Sequence, residues 1–521
     1  MLGAFDEFLA DAITLARSTD DRQWSAYCHE LAAAPIASDR LPTILAKLAE
    51  VHEQGAAEAP SARERLSSDR FWALVLQRLW RGVTAQELAE HLTPEAVAQA
   101  ARLYRQLGPA SRARHQLLRL LAGSGQRRAL EAFGEMMVTD PPGEANDVIL
   151  SFVPLFQNKT YPPEALFPRL LDALHDATLA TVVLDLANHL TRSGRVTGHP
   201  AATRIDRLSL LLGGVVARLA KLEERPDEFA RSPAELNQIV SDSTGLIIAL
   251  TNALALIGDP RVTGKLHQTL ELSHRRIRTE AASALAALGD ERGTEVLVGM
   301  AAEPVVRLRA LATLDELGQL DKVPVQHRSA EARAEAELAV RLTLPTYFGA
   351  PPQSLELVDA CRQPWPGYEE PVDCYLFRYE YRVGDRLIEG IGMAGPVVHA
   401  FRADLADLPP SEIYAAYAGW GAKHEEIQET DDLNDGEQAA WAARRQELIQ
   451  MGYEAPQIVT VGRFFGQTHY VAASGRQGQP GILVDDGLNV EWFSSTGAAR
   501  SVGPDEAYYI VKGHKLLRGR F

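Results

Sequence analysis

The chain has 521 residues, with 53 basic against 69 acidic side chains and a formal net charge of -16. That length exceeds what one ordinary core supports, so more than one domain is expected, and the acidity speaks against general attraction to nucleic acid or an anionic membrane. Three cysteines, Cys28, Cys361 and Cys374, are too few and too scattered for a disulfide framework or a metal cluster, which points to a reducing compartment.

The first residues, Met1 to Glu7, lack the basic start of a secretory signal, and Asp6, Glu7 and Asp11 interrupt any apolar segment. The apolar runs around Leu210 to Ala217 and Gly245 to Ile257 fall short of the roughly 20 residues that cross a bilayer. A soluble cytoplasmic protein with no membrane partner is expected.

From the start to about residue 340 the texture is helical. Phe5, Phe8, Leu9, Ala12 and Ile13 make one apolar stripe. Phe71, Trp72, Val75, Leu76 and Leu79 make another, behind a cap expected at Ser67, Ser68 or Asp69. Breaks rich in Pro and Gly leave room for helical pairs between them, so residues 1–343 are read as an α-solenoid. Between Glu95 and Glu131 stand Arg102, Arg105, Arg112, Arg114, Arg119, Arg127 and Arg128 with no acid among them. On so acidic a chain this is the one stretch suited to an anion, a nucleic-acid backbone included. Pairing with acids on neighbouring helices, or simply facing water, is the plainer expectation.

A period near thirty residues follows. Ile277, Arg278, Ala281, Leu285, Leu288 and Gly289 align with Val306, Arg307, Ala310, Leu314, Leu317 and Gly318, and Leu246, Leu250, Leu254, Ile257 and Gly258 fill the matching places of a weaker copy. Apolar positions three or four apart, closed by Gly, are what stacked helical hairpins require. Gly258, Gly289 and Gly318 suit left-handed helix ends, and Asp259 and Asp290 are placed to cap the next helix.

Over residues 244–320 these phrases resemble the short HEAT repeats also found in phycobilisome lyases. The resemblance implies paired antiparallel helices whose array mainly holds other proteins, less often nucleic acid or a bilin. It also implies that Arg278 and Arg307 belong to a structural ladder between units rather than to a ligand site.

At residues 344–367 the composition becomes that of a Pro-rich linker, and residues 368–521 read as a smaller α+β domain with a mainly antiparallel sheet. Tyr375, Phe377, Tyr379 and Tyr381 alternate with Leu376, Arg378, Glu380 and Arg382 as a half-buried strand, with a turn at Gly384-Asp385 before Arg386 to Gly390. The aromatic row can stack bases on an open sheet or fill a core under helices; the second is expected more often. Further strands are expected at Val397 to Arg402, Ile458 to Phe465, His469 to Ala473, Ile482 to Val484, Val490 to Phe493 and Tyr508 to Val511, with helices at Pro410 to Ala418 and Glu437 to Met451.

Gly390-Ile391-Gly392-Met393-Ala394-Gly395 matches a dinucleotide-binding spacing, but a strand-like run follows where that motif needs a helix. Asp431 to Gly436 begins like a calcium loop and then fails at Leu433 and Ala442. No metal-ligand spacing, nucleophile elbow or P-loop occurs, so no cofactor is expected. The leading expectation is a non-enzymatic scaffold that binds a protein partner through the solenoid. Its rivals are a nucleic-acid-binding solenoid using Arg102 to Arg128 and a small-molecule-binding or enzymatic C-terminal domain.

Overall fold

The computed structural model describes residues 5–494, apart from 19, 230, 366, 384–385, 401–404, 406–407, 423–426, 429–432, 434, 465–466 and 486–489. The chain forms two compact units, Met1–Glu295 and Val296–Phe521. The expected Gly384-Asp385 turn, Asp431, Asp432 and Asn434 of the calcium-like segment and the strand at Tyr508 to Val511 lie outside the described residues.

Helices fill the first unit. It opens with α1 (Phe5–Ala16), α2 (Asp21–Ala33), α3 (Leu41–Ala57), α4 (Pro60–Leu66) and α5 (Asp69–Gly82), and continues with α6 (Ala85–His91), α7 (Pro94–Gln106), α8 (Arg114–Ser124), α9 (Arg127–Thr139) and α10 (Ala145–Gln157). Phe5, Leu9, Ala12 and Ala16 of α1, and all five apolar residues of the α5 stripe, are buried, as one face of a helix requires. Ser68 is the residue before α5, although its side chain makes no capping bond. A reciprocal Thr84 and Glu87 box opens α6, satisfying two backbone donors that helix geometry leaves unpaired.

Then come α11 (Ala177–Arg192), α12 (Ile205–Glu224), α13 (Pro233–Ile257), α14 (Thr263–Leu270), α15 (Arg275–Ala287) and the start of α16 (Glu291–Met300). Helices α11, α13 and α15 pack side by side, while α12 lies on α13 and α14. A buried relay fixes the first row. The Ala201 N–H donates to His199 Nδ1 (3.2 Å), His199 Nε2 donates to Asn188 Oδ1 (3.0 Å), and Asn188 Nδ2 donates to the Ala249 carbonyl (3.0 Å).

Helix α13 is longer than the Gly245 to Ile257 run suggested. Over Ala234–Ile257 it is long and apolar enough to cross a bilayer. Half of its most apolar 18-residue window is buried, with Leu246, Ile247, Leu250, Ala253 and Leu254 in the core and α11 and α15 packed against it, which is the situation of a central helix in a stack.

The repeat ends share one geometry. Gly258, Gly289 and Gly318 have φ of +77°, +82° and +67°. The Asp290 N–H reaches back to the Leu285 carbonyl (3.0 Å), and one repeat later the Gln319 N–H reaches the Leu314 carbonyl (2.7 Å), the long closing bond of a left-handed helix end. Asp259 and Asp290 accept from the backbone N–H of Arg261 (2.9 Å) and Arg292 (3.0 Å).

In the second unit, α17 (Pro304–Glu316), α18 (Val325–Arg328) and α19 (Ala330–Thr343) precede β1 (Ser354–Gln363), β2 (Val372–Val383), β3 (Arg386–Ala394) and β4 (His399–Ala400), which form one antiparallel sheet in that order. Strand β1 corrects the reading of 344–367 as linker throughout. It is an edge strand, largely exposed, so its apolar contrast is weak, and Pro351, Pro352 and Pro364 flank it rather than interrupt it. Helix α20 (Pro410–Ala422) follows, then β5 (Ile427–Gln428), α21 (Asp435–Gln450), β6 (Tyr453–Phe464), β7 (Gln467–Arg476), β8 (Gln479–Asp485) and β9 (Val490–Ser494), the five strands making a second antiparallel sheet. Gln477 and Gly478, both at positive φ, form the two-residue turn between β7 and β8 that matches strand twist.

Strand β2 is covered on both faces. Tyr375, Phe377, Tyr379 and Tyr381 pack with Leu338 and Leu342 of α19, whereas Cys374 and Leu376 pack with Ile413, Tyr414 and Tyr417 of α20. The aromatic row is therefore core, not a stacking platform. The Gly390 to Gly395 phrase lies in and just after β3, where Gly392 seats Leu338: a Cβ there would come within 2.8 Å of that fully buried side chain.

Two glycine substitutions separate backbone strain from crowding. A Cβ at Gly289 meets nothing within 4 Å, so Gly289→Ala carries only the left-handed backbone penalty, about 1 kcal/mol. Gly392→Ala overpacks a closed core and costs about 1–3 kcal/mol. Urea midpoints should rank Gly392→Ala as the less stable; the reverse order would contradict the packing of α19 on β3.

Burial pushes the His199 imidazole down to about 4. The unfolded chain takes up this proton below about pH 6.5 while the folded chain refuses it, so stability present above that pH is lost as pH falls towards 4, on the order of 3 kcal/mol in all. Wild type should thus lose its advantage over His199→Gln between pH 7 and pH 4.5 in denaturant titrations. An advantage equal at both pH values would mean that the relay does not exclude the proton.

Candidate interaction surface

The seven arginines of the 102–128 stretch are not gathered into one site. Arg102 pairs with Glu53, whose carboxylate also accepts from Gln106 (2.6 Å). Arg114 is fully buried: it pairs with Asp140, donates to the Asp140 carbonyl (3.2 Å) and lies 3.8 Å from the Tyr104 ring centroid. Arg119 is half-buried over Trp80 (4.9 Å), and desolvation there, with Arg81 nearby, lowers its pKa. Arg127 pairs with Glu164 (2.6 Å). Arg105, Arg112 and Arg128 are exposed, with no ion pair among the described residues.

The two repeat arginines differ. Arg307 is buried and donates to the carbonyls of Ala301 (2.7 Å), Ala302 (3.1 Å) and Ala332 (2.7 Å) and to Glu335 (2.6 Å), which makes it a rung between α17 and α19. Arg278 is half-buried and has no ion pair among the described residues.

A surface that the sequence did not single out lies along α12. Ile205, Leu208, Leu212, Val216, Leu219 and Leu222 are buried and seat the helix on its neighbours. A second stripe at helical spacing, Arg207, Leu210, Leu211, Gly214, Val215 and Arg218, lines an open groove of about 410 Å³ with Leu174 and His175. Leu210 is 77% exposed, and a Cβ on Gly214 would meet nothing within 4 Å. Arg207 and Arg218 stand three turns apart, about 16 Å along the axis, and neither has an ion pair among the described residues. Further along α12, Glu223 and Glu224 join Glu271 around a second hollow of about 310 Å³ with Val216, Ala220 and Leu272.

Residues 234–318 match a family model described as HEAT repeats. That segment of the chain is a HEAT-repeat array, and such arrays are in general protein-interaction scaffolds. No curated protein matches the chain.

The arginine roles make opposite predictions for stability. Arg307→Met strips four acceptors of their donor and should cost about 3–5 kcal/mol, as breaking a buried ion pair does. Arg102→Ala removes an exposed pair and should cost under about 1 kcal/mol. Chemical denaturation of the two variants checks this, and near-equal midpoints would contradict the structural assignment of Arg307.

Proposed function

We propose that the protein is a cytoplasmic, non-enzymatic scaffold whose helical array holds a protein partner, and that the α12 groove is the contact surface. The observation that carries this reading is the apolar stripe of exposed Leu210 and half-buried Leu211 and Val215, set between Arg207 and Arg218 along the groove. An apolar stripe of this width on a helix normally has a partner. The two cations fix the chemistry of that partner: an amphipathic helix with acidic residues about three turns apart on either side of an apolar patch.

The HEAT-repeat match supports the same class of function. The arginines of the 102–128 stretch favour it over a nucleic-acid interface, because Arg102, Arg114 and Arg127 are held by acids of this chain. Cytoplasmic location is part of the proposal and rests on the small number of cysteines, all three of them free thiols.

The test compares the tagged wild-type protein with Leu210→Asp and with a double reversal, Arg207→Glu and Arg218→Glu, in affinity capture after nuclease treatment. Leu210 is too exposed to support the fold, so circular dichroism should be unchanged. Binding of the protein that the wild type retains should weaken at least about 30-fold in each variant, the effect of losing a hot spot. Undiminished binding by both variants would place the interface elsewhere, and capture that disappears with nuclease would return the weight to Arg105, Arg112 and Arg128.

A further inference from the structure

Cys361 on β1 and Cys374 on β2 are register partners in an antiparallel pair. Residues directly opposite in such a pair have Cα atoms about 4.5 or 5.5 Å apart and side chains on the same face. Both separations fall within the roughly 4.4–6.8 Å that a disulfide spans. The pair faces α20, where Cys374 is core and Cys361 packs at the rim. Cys374 is buried, Cys361 is half-buried, and both are free thiols.

Three features around the pair give the two sulfurs different roles. Strand β1 is the sheet edge, and its register shifts between Leu357 and Asp359, just before Cys361, so solvent reaches that side. The Tyr414 hydroxyl lies between the strands: it donates to Asp359 Oδ2 (3.0 Å) and sits 3.3 Å from the Cys374 carbonyl. Burial pushes the Cys374 thiol up to about 11, which keeps it protonated and unreactive towards solutes while its neighbour is reduced.

We propose that Cys361 and Cys374 are a redox-active pair that a hydroperoxide converts into an intramolecular cross-strand disulfide. The Cys361 thiolate attacks one peroxide oxygen, the O–O bond breaks, and the departing hydroxide leaves as water after protonation. Cys361 is then a sulfenic acid. The Cys374 sulfur attacks the Cys361 sulfur, its proton passes to the departing hydroxide, and the S–S bond forms with release of a second water. Two electrons pass from the sulfur pair to the peroxide, and a dithiol reductant reverses the bond by thiol exchange. The product ties the edge strand β1 covalently to the central strand β2.

The experiment treats the full chain with excess hydrogen peroxide, then denatures, alkylates and measures intact mass and unreduced peptides. The expected result is loss of two of the three thiols, a mass lower by two hydrogens before alkylation, a Cys361–Cys374 linked peptide and an alkylated Cys28. Cys374→Ser should stop at a Cys361 sulfenic acid that dimedone traps, and Cys361→Ser should lose no thiol. Three alkylated cysteines, a Cys361 sulfinic acid beside an alkylated Cys374, a bond to Cys28 or a bond between chains would each overturn the proposal.

Discussion

A helical hairpin cannot bury both of its faces by itself, and the helical part of this protein is organised by that constraint. Each row helix borrows cover from the next: α13 is lined by α11 on one side and α15 on the other. The closing glycines serve the same end. Only a left-handed residue reverses the chain quickly enough for the next helix to lie back on the one just finished, and the matched bonds from Asp290 to Leu285 and from Gln319 to Leu314 show the reversal made twice in the same way. Where the stacking demand is met, as on α13, even a helix apolar enough for a bilayer becomes core. On the outer stripe of α12 it is not met, and that unmet demand is the physical basis of the proposed interface.

How legible each part was depends on whether its signal is local. Period-two alternation of four aromatics on β2 survives any tertiary context, because β-branched and aromatic side chains at alternate positions need a covered face. Helical stripes on α1 and α5 were equally plain. Strand β1 was not, since an exposed edge strand buries too little to imprint an apolar pattern and its flanking prolines resemble a linker. The α12 surface was hidden for a different reason. Its sequence shows apolar residues on two sides of the helix, Leu208 and Leu212 on one and Leu210, Leu211 and Val215 on the other, and only the neighbours decide which side remains open.

Charges are the least legible of all. The 102–128 arginines form an unbroken basic stretch on paper, yet their counter-charges come from far away in sequence: Glu53 for Arg102, Asp140 for Arg114, Glu164 for Arg127. Net charge over a window cannot register such pairs. The two repeat arginines extend the point, because Arg278 and Arg307 occupy one position of one pattern, but only Arg307 finds three carbonyls and a carboxylate within reach. A repeat specifies where a side chain starts, whereas the next unit specifies what it meets.

The same distinction resolves the glycine phrase of β3. Its spacing copies a phosphate-binding motif, but spacing alone records only that three positions tolerate no side chain. At Gly392 the excluded volume belongs to Leu338 of α19, and at Gly395 a positive φ of +123° together with the Asp373 carbonyl, 2.5 Å from where a Cβ would stand, excludes one. A cradle for phosphate needs backbone N–H groups converging on open space at a helix start. Here the N–H groups of β3 belong to a strand paired with β2 and the space at Gly392 is filled by a leucine, so Gly392 is the imprint of a helix pressed onto a sheet and Gly395 that of the neighbouring strand.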